Sequence, residues 1–173
     1  MTKQFYIPDI FQNTNYDCGV ECVQAVMAYY GTDYTETELE KELEVSKKYG
    51  TATKSIIGFF NKRGFKIFEG NMNIEILKKY IDRKIPVIIL IQAWAERNTN
   101  YIKTNNWGHY VVVCGYNKSG LILEDPAIFG KGYLSYSQLK KRWHGLDNKI
   151  LYNYGIAVWG KNKYNYKKLF KIK

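Results

Sequence analysis

Apolar residues recur along this chain at two periods, and the change from one to the other divides it. Val20, Val23, Val26, Met27 and Tyr30 stand at helical spacing, which predicts an amphipathic helix over 18–30 with one buried face. Asp17 is placed to be its N-cap and Gly31 its stop. Before it, residues 5–10 read as extended, with Pro8 setting them at an edge or in a loop. After it, Thr35 and Glu38 make a capping-box signature for a second, acidic helix to about Leu43. Residues 46–52 read as loop, and 54–63 as a third helix stopped by Gly64.

From there strands enter. A strand is predicted over 65–69. Asn73 should cap a helix with Ile74, Leu77 and Ile81 on one face, and 86–91 should be a buried strand. Residues 93–108 are polar, rich in asparagine and without period; so long a loop is expected to serve function, here as a wall or flap of a cleft. Two apolar runs then flank the turn residues Asn117–Gly120 and predict a hairpin from His109 to Asp125. Direct opposition of those two residues needs a turn centred near Asn117, slightly too early, so a bulge or register adjustment is expected. A Gly-rich link, a helix over 136–143 and a final strand over 156–159 complete the chain. Helices first and a mostly antiparallel sheet second give an α+β fold.

Length and charge narrow the picture. The 173 residues suit one domain over 1–160 with a basic tail over 161–173. The net charge of +10 is uneven, since the first fifty residues carry nine acidic and four basic groups. Basic residues mixed with tyrosine suggest nucleic acid, but no nucleic-acid motif accompanies them, so a solvated tail is expected and no nucleic-acid partner. The basic half also suits steering of an acidic substrate. Neither a signal peptide nor an apolar run long enough to span a membrane is visible. Three cysteines without framework spacing point to reduced thiols and the cytoplasm. Phosphate-binding glycine patterns, paired carboxylates on one face and heptads are absent.

Candidate chemistry gathers at three separated places. Cys18 sits in the first turn of its helix, where the positive end of the dipole favours an anionic sulfur, the nucleophilic form. Gln12 lies six residues upstream, placed to turn its amide toward whatever Cys18 attacks. His109 and Asp125 meet toward the open end of the hairpin, and a histidine beside a cysteine, held by a carboxylate, is a nucleophilic triad. Taken singly, Cys18 also reads as a small buried hydrophobe, His109 as a strand-end histidine and Asp125 as a turn residue before Pro126. Cys22 and Cys114 read as core thiols. A metal set of Cys18, Cys22, His109 and Cys114 is the weaker alternative, because residues five apart in a strand face opposite sides. His144 reads as a favourable charge at a helix C-terminus, and Trp94 and Trp107 as groove lining or core.

Gln12, Asp17-Cys18-Gly19, the GHYVVV segment with His109 and the Glu-Asp-Pro segment with Asp125 resemble the papain-like cysteine peptidases. Among these the chain is most similar to the bacteriocin-processing, double-glycine leader peptidases, over roughly residues 5–160. That resemblance implies a helical half packed against a sheet half, with the active site between them. It implies a Cys18–His109–Asp125 triad with Gln12 sharing the oxyanion, no cofactor and no metal. The implied substrate is the leader of a small peptide, cut after Gly-Gly or Gly-Ala. Many family members are the N-terminal domain of a membrane transporter; none is encoded here, so a transporter is expected to act in trans. The same triad suits an acyltransferase or isopeptidase, and a non-catalytic leader-binding module is the alternative outside enzymes.

Overall fold

The computed structural model describes residues 1–161, so the basic tail expected over 161–173 lies outside the described residues except for Lys161. Strand β1 (Lys3–Gln4) is followed by helices α1 (Cys18–Tyr29), α2 (Glu36–Glu42) and α3 (Thr53–Lys62). Next come β2 (Lys66–Asn71), α4 (Ile74–Asp82), β3 (Val87–Gln92), β4 (Gly108–Tyr116), β5 (Gly120–Glu124) and β6 (Lys131–Ser135). Helix α5 (Tyr136–Arg142) and strands β7 (His144–Asp147), β8 (Lys149–Tyr152) and β9 (Tyr154–Trp159) close the order. One sheet runs β2-β9-β3-β4-β5-β6, with β1 on β4, and every pairing in it is antiparallel. Strands β7 and β8 form a separate hairpin.

The local signals act as expected at most helix starts. Thr35 and Glu38 complete the capping box of α2, and the Asn73 side chain accepts from Ile76 N at 2.9 Å. Asp17 does not cap α1. Its backbone (φ −100°, ψ 4°) lies outside the extended region that lets an N-cap side chain reach the next turn. The carboxylate turns back and accepts from Thr14 N at 2.9 Å. Helix α1 also differs from a one-faced amphipathic helix, because ten of its twelve residues are buried. It packs against both β4 and α2, so it needs apolar or small residues nearly all round.

Three elements escape the hydrophobic pattern. Strand β6 forms from the Gly-rich link, and the β7–β8 hairpin lies where no strand is predicted. Their burial is partial, which leaves no clean alternation to read. At the N-terminus the strand is Lys3–Gln4 rather than residues 5–10. Residues 7–10 are held instead by side chains: Lys131 Nζ donates to Ile7 O at 2.7 Å, and Ile10 N donates to Glu124 Oε1 at 3.0 Å. This lays the segment along β5 and carries it on to Gln12, whose N–H donates to Pro126 O at 2.9 Å.

One contact fixes the approach of α1 to the sheet. A Cβ on Gly19 would lie 2.7 Å from Thr51 Cβ and 3.1 Å from the Tyr110 ring. Thr51 Cβ is the base of a buried side chain and has no freedom to swing aside. Gly19→Ala is therefore expected to force α1 away from β4 and to lower stability by about 1–3 kcal/mol. Urea unfolding of the two proteins measures this directly.

Candidate active site

The site forms where the start of α1 meets the open end of β4 and β5. His109 Nε2 and Asp125 Oδ1 lie 2.7 Å apart, and both residues are buried. The same Asp125 oxygen accepts from Ala127 N at 2.9 Å, so the carboxylate is locked by its own turn before it meets the ring. Tyr110 N, one residue beyond His109, donates to Cys18 Sγ at 3.5 Å. With Nε2 engaged by Asp125, Nδ1 is the ring nitrogen left for the sulfur, which is a hydrogen-bond neighbour of the imidazole.

A bulge makes this geometry possible. Near the turn, Gly115 faces Ile122 and Tyr116 faces Leu121. Continued unbroken, that register sets Asp125 opposite Val112, on the face of β4 that His109 does not share. The register shifts between Val113 and Gly115, and Val112 faces Glu124 instead. Asp125 thereby takes the face of Val111 and His109 and reaches the ring along a diagonal. The expected register adjustment is present, and direct opposition is not. Glu124, one residue earlier, falls on the other face and anchors residues 7–10 together with Lys131.

Gln12 is brought to the same place by the Pro126 contact. One amide N–H of its side chain is donated to Thr14 O at 2.7 Å, so a single side-chain N–H remains for another acceptor. Because Asp17 turns away, no side chain takes the free N–H groups at the start of α1 among the described residues.

The other thiols stand apart. Burial pushes Cys22 well above the ordinary thiol range and Cys114 up to about 12. Cys114 is fully buried, and Lys131 and Glu124 are the charges nearest it, on the sheet face away from His109. The metal set of Cys18, Cys22, His109 and Cys114 does not assemble: among the described residues the one cluster at ligand spacing is Asp17, Glu21 and Glu36.

His144 has a role that the sequence did not reveal. It reaches the Lys141 carbonyl at 3.3 Å, as a helix-end residue should, but its closer partners belong to the loop over 93–108. Nδ1 meets Asn105 Oδ1 at 3.0 Å and Nε2 meets Tyr101 O at 2.8 Å. Gln92 continues the tether, donating to His144 O and accepting from Trp107 N. The loop so held forms one wall of a cleft of about 600 Å³ that reaches Asp125. Trp94 lines that cleft, and both Trp94 and Trp107 are exposed, which excludes the core reading for either.

A family model described as the Peptidase C39 family matches residues 7–147. The chain belongs to this family. The resemblance to the bacteriocin-processing, double-glycine leader peptidases is therefore borne out, and with it the α+β fold. The chain is 28% identical over 137 residues to the lactococcin-G-processing and transport ATP-binding protein LagD of Lactococcus lactis, covering 79% of this chain and 18% of that protein. It thus spans under a fifth of that curated relative. Among solved structures, a putative C39-like peptidase from Bacillus anthracis superposes with a TM-score of 0.72 at 17% identity, covering 94% of this chain and all of that one. A double glycine motif protease from an AMS/PCAT transporter, solved with its leader peptide, gives 0.66 at 17% identity, covering 92% and 95%. Among the described residues, no helix is long and apolar enough to cross a membrane.

The electrostatics of the pair lead to a titration. Burial alone would push the His109 pKa down; the hydrogen bonds to Asp125 and Cys18 outweigh it and hold the ring up to about 9. His109 thus favours the folded state below its ordinary value near 6.5, and that contribution is lost as pH rises toward about 9. NMR of the ring protons should show a midpoint near 9 for His109, moving down toward the ordinary range in Asp125→Asn. With two histidines in the chain, the assignment is direct.

Proposed function

We propose that this chain is a cysteine endopeptidase acting through Cys18, His109 and Asp125, and that it removes the leader of a small peptide after a Gly-Gly or Gly-Ala pair. The observation that carries the reading is the 2.7 Å contact between His109 Nε2 and Asp125 Oδ1 beside a sulfur that already accepts a backbone hydrogen bond. Cys18 attacks the scissile carbonyl as the thiolate, forming a C–S bond. The imidazolium then gives its proton to the leaving amine as the C–N bond breaks, and His109 draws a proton from water to release the acyl group. Asp125 fixes the ring and stabilises its charged form. The oxyanion is met by the Cys18 N–H, which has no intrahelical partner at the start of α1, and by the remaining side-chain N–H of Gln12.

The leader-cutting part rests on what the relatives are: one processes lactococcin G, and one was solved with a leader peptide. The cleft between the loop over 93–108 and β5–β6 offers Trp94, Tyr101 and Leu123 to an apolar segment upstream of the cut. Small residues at the cut itself are selected by excluding side chains from a narrow passage. The partner is a peptide substrate, delivered in company with a membrane transporter, and the compartment is the cytoplasm, where three unpaired thiols persist.

Iodoacetamide at mildly acidic pH should label Cys18 well before the buried Cys22 and Cys114, read by mass spectrometry. Equal labelling of all three would remove the nucleophile assignment. On a Gly-Gly peptide, Cys18→Ala and His109→Ala should abolish turnover and Asp125→Ala should impair it severely, while Asp125→Asn keeps measurable activity. Gln12→Ala should fold normally and turn over about 10²–10³-fold more slowly. Full activity of a folded Asp125→Ala would refute the triad.

A further inference from the structure

We infer that Asp17, Glu21 and Glu36 form a binding site for one calcium ion, clamping the start of α1 to the start of α2. One carboxylate oxygen from each lies within 4.8 Å of the others. Asp17 is 0% and Glu21 2% exposed, and Asp17 Oδ1 and Glu21 Oε1 are buried with no donor within hydrogen-bond distance among the described residues. Of the other contacts, Thr14 N donates to Asp17 Oδ2 and Asn13 Nδ2 to Glu36 Oε2, while the Asp17 and Glu36 carboxyls also face each other at hydrogen-bond range. No lysine or arginine among the described residues forms an ion pair with any of the three. Leaving two buried carboxylate oxygens unmatched costs several kcal/mol in general, so the cluster needs a positive charge, a shared proton or a cation.

The donor set is all oxygen, which selects a hard cation. Oxygens across a calcium ion lie roughly 4.6–5.2 Å apart, against about 4.0–4.2 Å across magnesium. Separations within 4.8 Å fit either ion, and burial decides for calcium, because magnesium gives up its waters reluctantly and suits a cage of protein carboxylates poorly. The site does not use Cys18, although Asp17 precedes it in the chain.

Calorimetric titration of the chelator-treated full chain with calcium chloride in 150 mM sodium chloride tests this, with melting followed in parallel. The expected result is one ion per chain and a rise in Tm of about 3–6 °C at ten times Kd. Glu21→Gln and the partly exposed Glu36→Gln should each weaken binding at least tenfold; the second alters no fully buried group, so its folding is secure. Absence of binding up to 10 mM calcium would overturn the proposal. So would unchanged affinity in both variants, magnesium binding as tight as calcium, or a Tm raised by Glu21→Gln alone, the sign of a shared proton.

Discussion

The hydrogen bond between His109 and Asp125 depends on one extra residue in β4, and much of the structure is arranged to keep that residue in place. A strand alternates its faces with period two, so a register wrong by one residue would point the carboxylate to the far side of the sheet. The bulge between Val113 and Gly115 corrects this at a cost in ladder hydrogen bonds. Its surroundings compensate. Strand β1 covers β4 at Gly115 and Tyr116, Phe5 N donates to Cys114 O, and the Cys114 thiol lies against Ile122 O. Gly115 is itself required there, since a Cβ would meet Lys3 O at 2.9 Å.

The same bulge divides labour between two adjacent carboxylates. Asp125 faces the histidine, while Glu124 faces the other way and binds the N-terminal segment through Ile10 N and Lys131. That segment then passes Pro126 and delivers Gln12. Gln12 and the histidine's partner are therefore positioned from one strand end, by neighbouring residues on opposite faces. Burial holds Glu124 up to about 7 even with Lys131 beside it, which marks this anchor as a dehydrated one. The loop over 93–108 is set by a parallel device, with His144 and Gln92 tying it to the β7–β8 hairpin.

Much of this was legible in the residues alone. The helix of Cys18, the capping of α2 and α4, the fully buried β3 and the hairpin from His109 to Asp125 all follow from period and turn chemistry, which are local properties. The candidate site was legible for a related reason: Cys18, His109 and Asp125 sit at element ends, and ends are what sequence punctuation marks. Even the need for a bulge could be counted from the spacing of the turn. Strands β6, β7 and β8 were not legible, because they are partly exposed and rest on pairing partners rather than on their own alternation.

What only the tertiary structure decided concerns side chains whose partner lies far along the chain or whose backbone departs from the usual. Asp17 has the composition of a cap but not the dihedral angles, and so turns to Thr14 and the acidic cluster instead. Glu21 looks like the polar face of a helix until α2 is packed over it. His144 ends a helix in the sequence and, in space, ties down a loop some forty residues earlier in the chain. Sequence alone fixes what each residue can do locally, since dihedral preference and period involve only near neighbours. Which face is buried twice, and which polar atom is left without water, are set when distant segments close on one another, and no local pattern records that.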